Sequence, residues 1–272
     1  MIDILIATGI FLGVSIICDV LLLLADKYFA IKEDETVVAI RDVLPGANCG
    51  ACGYSGCDAY AKALGDKATE ETNLCIPGGD STAKSIAAIL GVEAEDVIEQ
   101  VAFVACNGTC GSVSERYQFS GYKTCHTANL SYRGDKACAY ACLGCGDCAK
   151  VCPRGAISVE NGVARVEPIK CIGCGICVRE CPKSIIRLVN DVSRVVVECS
   201  SHDKGAVTRK NCSNGCIGCM KCQKVCPSGA IKVIDNLAVI DYSICNGCGE
   251  CAKVCPVHCL HEGNFICGAH FQ

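Results

Sequence analysis

Tryptophan is missing from this 272-residue chain, methionine occurs twice, and aromatics make up only 5% of it. Large side chains are too scarce to fill an ordinary core, so something else must occupy part of the interior. The sequence contains no Gly-x-Gly-x-x-Gly fingerprint, no P-loop and no nucleophile–base signature. Sites for NAD, flavin or a nucleoside triphosphate are therefore not expected, nor is a covalent or hydrolytic centre, and no residue is assigned a catalytic role. Positive charge is not in excess: 25 Lys and Arg face 29 Asp and Glu, for a net charge of −4. This balance argues against a nucleic-acid partner.

Cysteine is what the chain has in plenty, 29 residues of it. Disulfide scaffolds of such density are short and secreted, whereas this chain is long and its cysteines come in tight triplets. Zinc ribbons separate their two Cys-x2-Cys pairs by about 15–20 residues. Here three cysteines run together and a proline follows the fourth. The phrase C-x2-C-x2-C-x3-C-P occurs at Cys142–Pro153, Cys171–Pro182, Cys216–Pro227 and Cys245–Pro256. It is the run that binds [4Fe–4S] clusters in bacterial ferredoxins, and it implies single-electron storage and transfer.

The runs also repeat as a pair. Each cysteine from Cys142 to Cys181 recurs 74 residues on, Cys142 as Cys216 and Cys181 as Cys255. Cys125 and Cys138 recur in the same way as Cys199 and Cys212. Two tandem two-cluster modules are expected, over 136–190 and 207–266. In such modules the fourth cysteine of a run serves the other cluster. One ligand set is then Cys142, Cys145, Cys148 and Cys181, and the next is Cys171, Cys174, Cys177 and Cys152. The second module supplies Cys216, Cys219, Cys222 and Cys255, then Cys245, Cys248, Cys251 and Cys226. Short strands are expected at 156–159, 163–166, 185–189, 230–234 and 237–240.

A different spacing, C-x2-C-x4-C-x17-C, brings together Cys49, Cys52, Cys57 and Cys75. Four thiolates complete one further cluster, within a module over 34–92. Helical patterning at 58–65, 82–90 and 93–104 makes this region mainly α. The connector 93–135 carries extra cysteines. Cys106, Cys110, Cys125 and Cys138 have the ligand count for a sixth cluster, and a cluster shared between the pairs Cys125/Cys138 and Cys199/Cys212 is the alternative. Cys18 and Cys259 are expected to pack as small apolar residues. A metal site in the tail from His258, His261 and His270 is weighed against an ordinary polar tail, which is preferred. Asn107-Gly-Thr109 is read as a chance match to a glycosylation acceptor.

Residues 4–24 are almost wholly apolar, with Asp19 the only charge, and twenty-one helical residues span about 31 Å, the thickness of a bilayer core. Segment 1–26 is expected to be an uncleaved membrane anchor, with Asp19 near an interface or a partner helix. Lys27, Lys32 and Arg41 follow the span and no basic residue precedes it. The positive-inside rule then places the bulk on the cytoplasmic side of the cell membrane as a single-pass protein. The expected fold class is α+β: a transmembrane helix, a small mainly α iron–sulfur module, then two tandem ferredoxin-type modules. Five [4Fe–4S] clusters are expected, with ligands for a sixth.

Charge is uneven along the chain. Ten basic and four acidic residues lie between Arg179 and Lys232, whereas eight acids face two lysines between Asp66 and Glu99. The second ferredoxin module is thus a candidate dock for an acidic soluble ferredoxin; a solvated face, or contact with an acidic partner subunit, is the plainer reading.

The order of an apolar helix, the Cys49–Cys75 motif and tandem ferredoxin runs resembles the B subunits of Rnf ion-translocating oxidoreductases over essentially the whole chain. The four cysteines from Cys49 to Cys75 match that family's first iron–sulfur domain, and the eight from Cys142 to Cys181 match its ferredoxin domain. The run from Cys216 to Cys255 is similar to the longer members. The resemblance implies a subunit of a ferredoxin:NAD oxidoreductase that works beside other membrane subunits and couples electron flow to Na+ or H+ export. Another membrane redox complex, or a corrinoid-linked iron–sulfur protein, is the alternative.

Overall fold

A computed structural model describes residues 2–29 and 34–263. Cys267 and His270, the latter one of the three histidines of the tail site weighed above, lie outside the described residues. The elements run α1 (Ile2–Phe29), α2 (Glu35–Val43), α3 (Cys57–Gly65), α4 (Gly79–Leu90), β1 (Gln100–Val104), α5 (Cys125–Leu130), α6 (Asp147–Lys150), β2 (Ile157–Glu160), β3 (Val163–Val166), α7 (Ile176–Glu180), β4 (Ile186–Asn190), β5 (Val195–Val197), α8 (Gly205–Asn211), α9 (Lys221–Val225), β6 (Ile231–Ile234), β7 (Leu237–Ile240), α10 (Glu250–Lys253) and β8 (Leu260–Glu262).

α1 is a 28-residue helix whose apolar side chains stand exposed, among them Phe11, Ile16, Leu22 and Leu23. Its side chains are described without a break only over 11–25. Among the described residues no helix is long and apolar enough to cross a membrane.

α2, α3 and α4 pack around Ile40, Tyr60, Leu64 and Ile86, all at most 1% exposed. Asp34 caps α2 by accepting from the Thr36 amide at 3.0 Å, which satisfies one of the first-turn donors. Gly91 ends α4 in the left-handed conformation at φ +70°. This module is mainly α, but its expected third helix over 93–104 is not formed. Gln100–Val104 is a strand instead, antiparallel to β4 with Gln100 opposite Asn190 and Val104 opposite Ile186. Val101 to Val104 are all buried, so both faces of the strand are covered. Such a fully apolar run shows no alternation, and sequence periodicity cannot separate it from a buried helix.

Each ferredoxin module is built on two two-stranded ladders. One is its own hairpin, β2–β3 in the first module and β6–β7 in the second. The other pairs the strand after the second run with a strand from outside the repeat: β4 with β1, and β8 with β5. Two cores result. The first gathers Val101, Ile157, Val163, Ile185 and Ile186 with cysteines of the first two runs. The second gathers Val195, Ile231, Leu237 and Leu260 with cysteines of the last two. Phe103, Ala105, Val189, Val196 and Tyr242 form a small core that joins them.

Candidate iron–sulfur centres

All four ferredoxin runs fold alike. Three cysteines lie on a loop that turns into a short helix, and the third sits within it: Cys148 in α6, Cys177 in α7, Cys222 in α9 and Cys251 in α10. The loop needs left-handed backbone. Gly144 and Gly173 have φ of +69° and +65°, and a Cβ there would meet the Gly162 and Gln100 carbonyl oxygens at 2.6 and 2.4 Å. No larger residue fits without moving backbone. Met220 holds the second left-handed position of its run at φ +61°, where the other runs have glycine; such a residue costs roughly 1–2 kcal/mol. The proline after each fourth cysteine stops the helix and sends the chain onward.

The fourth cysteine then faces the neighbouring run. Cys152 lines a cavity of about 360 Å3 with Cys171, Cys174 and Cys177. Cys181 lines one of about 400 Å3 with Cys142 and Cys148, joined by Cys125; Cys145 is a hydrogen-bonding neighbour of that same Cys125. In the second module Cys226 meets Cys245, Cys248 and Cys251 around about 310 Å3. Cys255 meets Cys216, Cys219 and Cys222 around a cavity of the same size, and Cys259 is a fifth thiol on its wall. Cys49, Cys52 and Cys57 gather near Cys75 in the first module, where the Asn48 Oδ1 accepts from the Cys57 amide at 2.8 Å.

A further cavity of about 330 Å3 lies between the two ferredoxin modules. Its cysteines are Cys106, Cys138, Cys199 and Cys212. The expected set Cys106, Cys110, Cys125 and Cys138 is not brought together. Asp147 Oδ2 accepts from the Cys125 amide at 2.6 Å and ties that residue to the first run. Cys110 stands exposed beside Gly162. Two contacts draw the second pair inward instead: Ser200 Oγ donates to the Ala105 carbonyl at 2.9 Å, and Val113 bridges to Cys212. The recurrence of Cys125/Cys138 as Cys199/Cys212 points to a shared set, but with Cys125 where the structure places Cys106.

Backbone amides point at the sulfurs of this cavity. Cys106 Sγ accepts from Gly108 and Cys142 at 3.4 and 3.3 Å. Cys199 Sγ accepts from Ser201 and Cys216 at 3.5 and 3.2 Å. The residues donating from outside, Cys142 and Cys216, are the first cysteines of the adjoining runs. Lys136, which patterning did not single out, is buried nearby and donates to the carbonyls of Gly108 and Gly162 at 3.0 and 2.7 Å.

The chemistry of the donors tests what could sit in these cavities. Burial pushes the thiols of Cys75, Cys145, Cys148, Cys177 and Cys199 up to about 12, and that of Cys222 up to about 11. A buried thiolate is disfavoured unless a cation stands among the sulfurs. Soft thiolates in fours suit iron–sulfur clusters or zinc. Zinc would be held as a single ion with sulfur at about 2.3 Å, whereas the C-x2-C-x2-C-x3-C-P runs, with the fourth cysteine facing the neighbouring run, have the spacing of [4Fe–4S] ligation. The residues present fit [4Fe–4S] clusters.

Successive thiolate cavities on paired ferredoxin ladders define a multi-cluster iron–sulfur protein of the ferredoxin class. The 4Fe-4S dicluster domain matches residues 141–185, 170–230 and 215–259, and an Fe-S cluster domain matches 44–77. The chain is 42% identical over 233 residues to the B subunit of a proton-translocating ferredoxin:NAD(+) oxidoreductase complex from Clostridium ljungdahlii, covering 85% of this chain and 82% of that one. It is also 42% identical over 259 residues to the B subunit of the Na(+)-translocating ferredoxin:NAD(+) oxidoreductase complex of Acetobacterium woodii, covering 94% and 77%. The B subunit of an ion-translocating oxidoreductase complex from Methanosarcina acetivorans is 38% identical over 86% of this chain and 88% of its own. The chain belongs to the family of Rnf complex B subunits.

Proposed function

We propose that this chain is the electron-relay subunit of a membrane-bound ferredoxin:NAD oxidoreductase that exports ions, and that it holds six [4Fe–4S] clusters. When bound, each cluster supplies a site that takes up and releases one electron at a time. Five ligand sets are those of the motifs, and the sixth is Cys106, Cys138, Cys199 and Cys212. What carries the proposal is the unbroken succession of thiol cavities.

That succession has an order. The Cys49 set abuts the Cys171–Cys177 set, since Cys174 feels the charge of Cys49 and Arg179 donates to the Cys49 carbonyl. The exchanged Cys152 and Cys181 tie this set to the Cys142 set. The Cys142 amide reaches Cys106 of the middle set, and the Cys216 amide reaches Cys199 of the same set. The exchanged Cys226 and Cys255 then tie the Cys216 and Cys245 sets together. The middle set bridges the two modules.

The second module suits a docking carrier. Cys219 and Cys248 are exposed, and so are Lys221 and Lys224 near Cys219 in the chain. An acidic ferredoxin would be steered to such a face. α1, with its exposed apolar side chains, is proposed as the anchor to the cell membrane, with the clusters on the cytoplasmic side and the other subunits beside it. The two relatives of equal identity are named for different ions, so the likeness favours neither H+ nor Na+.

The test is anaerobic purification with the partner subunits, followed by iron analysis and ferredoxin-dependent NAD reduction. About 24 iron atoms per chain are expected, four per cluster. A chain with about 20 iron atoms or fewer, or a complex in which reduced ferredoxin leaves this chain oxidised, overturns the proposal.

A further inference from the structure

Cys259 occupies a place in the second module that an isoleucine occupies in the first. The repeat offset maps it onto Ile185, and the backbone agrees. The Ala105 amide donates to the Ile185 carbonyl at 2.7 Å, and the Glu198 amide donates to the Cys259 carbonyl at 2.8 Å. Each bond extends the strand ladder beside the first cluster of its module. Ile185 is 2% exposed and lines the Cys142 cavity; Cys259 is 1% exposed and lines the Cys216 cavity. Isoleucine has no proton to donate, whereas a thiol has one; the extra thiol on the Cys142 cavity, Cys125, comes from a different segment.

The Cys259 sulfur is 3.6 Å from the Cys255 sulfur and also within hydrogen-bonding reach of Cys216. Both neighbours belong to the four-cysteine set, which is complete without Cys259. A fifth, buried thiol among complete ligands has one S–H and two electron-rich sulfurs to give it to. A hydrogen bond to a ligating sulfur draws charge from the iron–sulfur core and stabilises the reduced state. We infer that Cys259 is a potential-setting residue: its S–H donates to the Cys255 or Cys216 thiolate and makes the cluster of that set easier to reduce than it would be with an apolar side chain at that place. The inference rests on the cluster assignment above. It tunes one cluster of the relay through a single side chain outside the ligand set.

The experiment is an anaerobic redox titration of the full chain followed by electron paramagnetic resonance, with iron analysis of every variant. The signal of the Cys216 set is identified as the one perturbed in Cys219→Ser. Cys259→Ala should keep its iron, and at fixed ambient potential the reduced-to-oxidised ratio of that cluster should fall about tenfold, which is about 59 mV for one electron. Cys259→Ser keeps a donor and should recover most of the shift. The reciprocal Ile185→Cys should move the first-module cluster the opposite way, and it tests the idea even where Cys259→Ala proves unstable. Unchanged potentials in Cys259→Ala and Ile185→Cys make Cys259 a packing residue and overturn the inference. Loss of about four iron atoms in Cys259→Ala makes it a ligand and overturns it as well. Absence of iron from the native chain defeats the cluster assignment itself, which separates the two failures.

Discussion

Removing the bridge between the modules tests the relay most directly. Cys199→Ser with Cys212→Ser leaves the middle cavity with Cys106 and Cys138 only, two thiolates where a cubane needs four. Iron should fall from about 24 to about 20 atoms per chain, with the other five ligand sets untouched. The electron count shows the effect more sharply. In the native chain six successive sites are reachable, so a rapid pulse of reduced ferredoxin should deposit about six electrons per chain in its fast phase. With the middle set gone, a carrier docked on the second module reaches only the Cys216 and Cys245 sets, and the fast phase should shrink to about two. A carrier docked at the Cys49 end would leave about three, so the amplitude also reports which end receives electrons. Stopped-flow absorbance near the cluster band, at low chain concentration to suppress exchange between molecules, reads the amplitude. A double variant that keeps all its iron, or loses four atoms yet keeps a six-electron fast phase, refutes the linear order.

Three further outcomes are expected. Cys152→Ser should damage the cluster held by Cys171, Cys174 and Cys177 while the Cys142 set keeps its signal, and the opposite pattern in resonance spectra would reverse the ligand exchange. Lys221→Glu with Lys224→Glu should lower the second-order rate of reduction by ferredoxin, and the native rate should fall steeply as salt screens charge over roughly 10 Å or less; a rate indifferent to both moves the dock elsewhere. Phe103→Ala empties the core that joins the modules, where Phe103 is 7% exposed against Ala105, Val189 and Val196. It should cost roughly 3–5 kcal/mol in anaerobic denaturant unfolding, and a loss below about 1 kcal/mol would mean that the site collapses or the modules do not share this core.

Much of the candidate site was legible because ligation imposes spacing on the chain. Three thiolates reach one cluster from a single loop only at short, regular intervals, and that regularity marks the sixteen cysteines of the four runs without reference to the fold. The hairpins Ile157–Val166 and Ile231–Ile240 were legible for a different reason: each is local and closes through turn residues such as Asn161-Gly162. Gln100–Val104 was not. Its partner lies at Ile186–Asn190, far along the chain, and a strand covered on both faces has lost the alternation that would reveal it.

Ligand chemistry, the repeat and the family could be read from residue type and interval, with no knowledge of the fold. Where the unpatterned cysteines go was settled by packing in three dimensions. Cys106 and Cys138 meet Cys199 and Cys212 rather than Cys110 and Cys125, because Ser200 and Val113 draw the second segment against the first while Asp147 holds Cys125 away. Packing also put Cys259 against Cys255, since a strand ladder sets its backbone there and no spacing rule describes that contact. Ligands contributed by one loop leave a periodic trace in the sequence. A site assembled from four separate segments leaves none, and only the packing of those segments brings it into being.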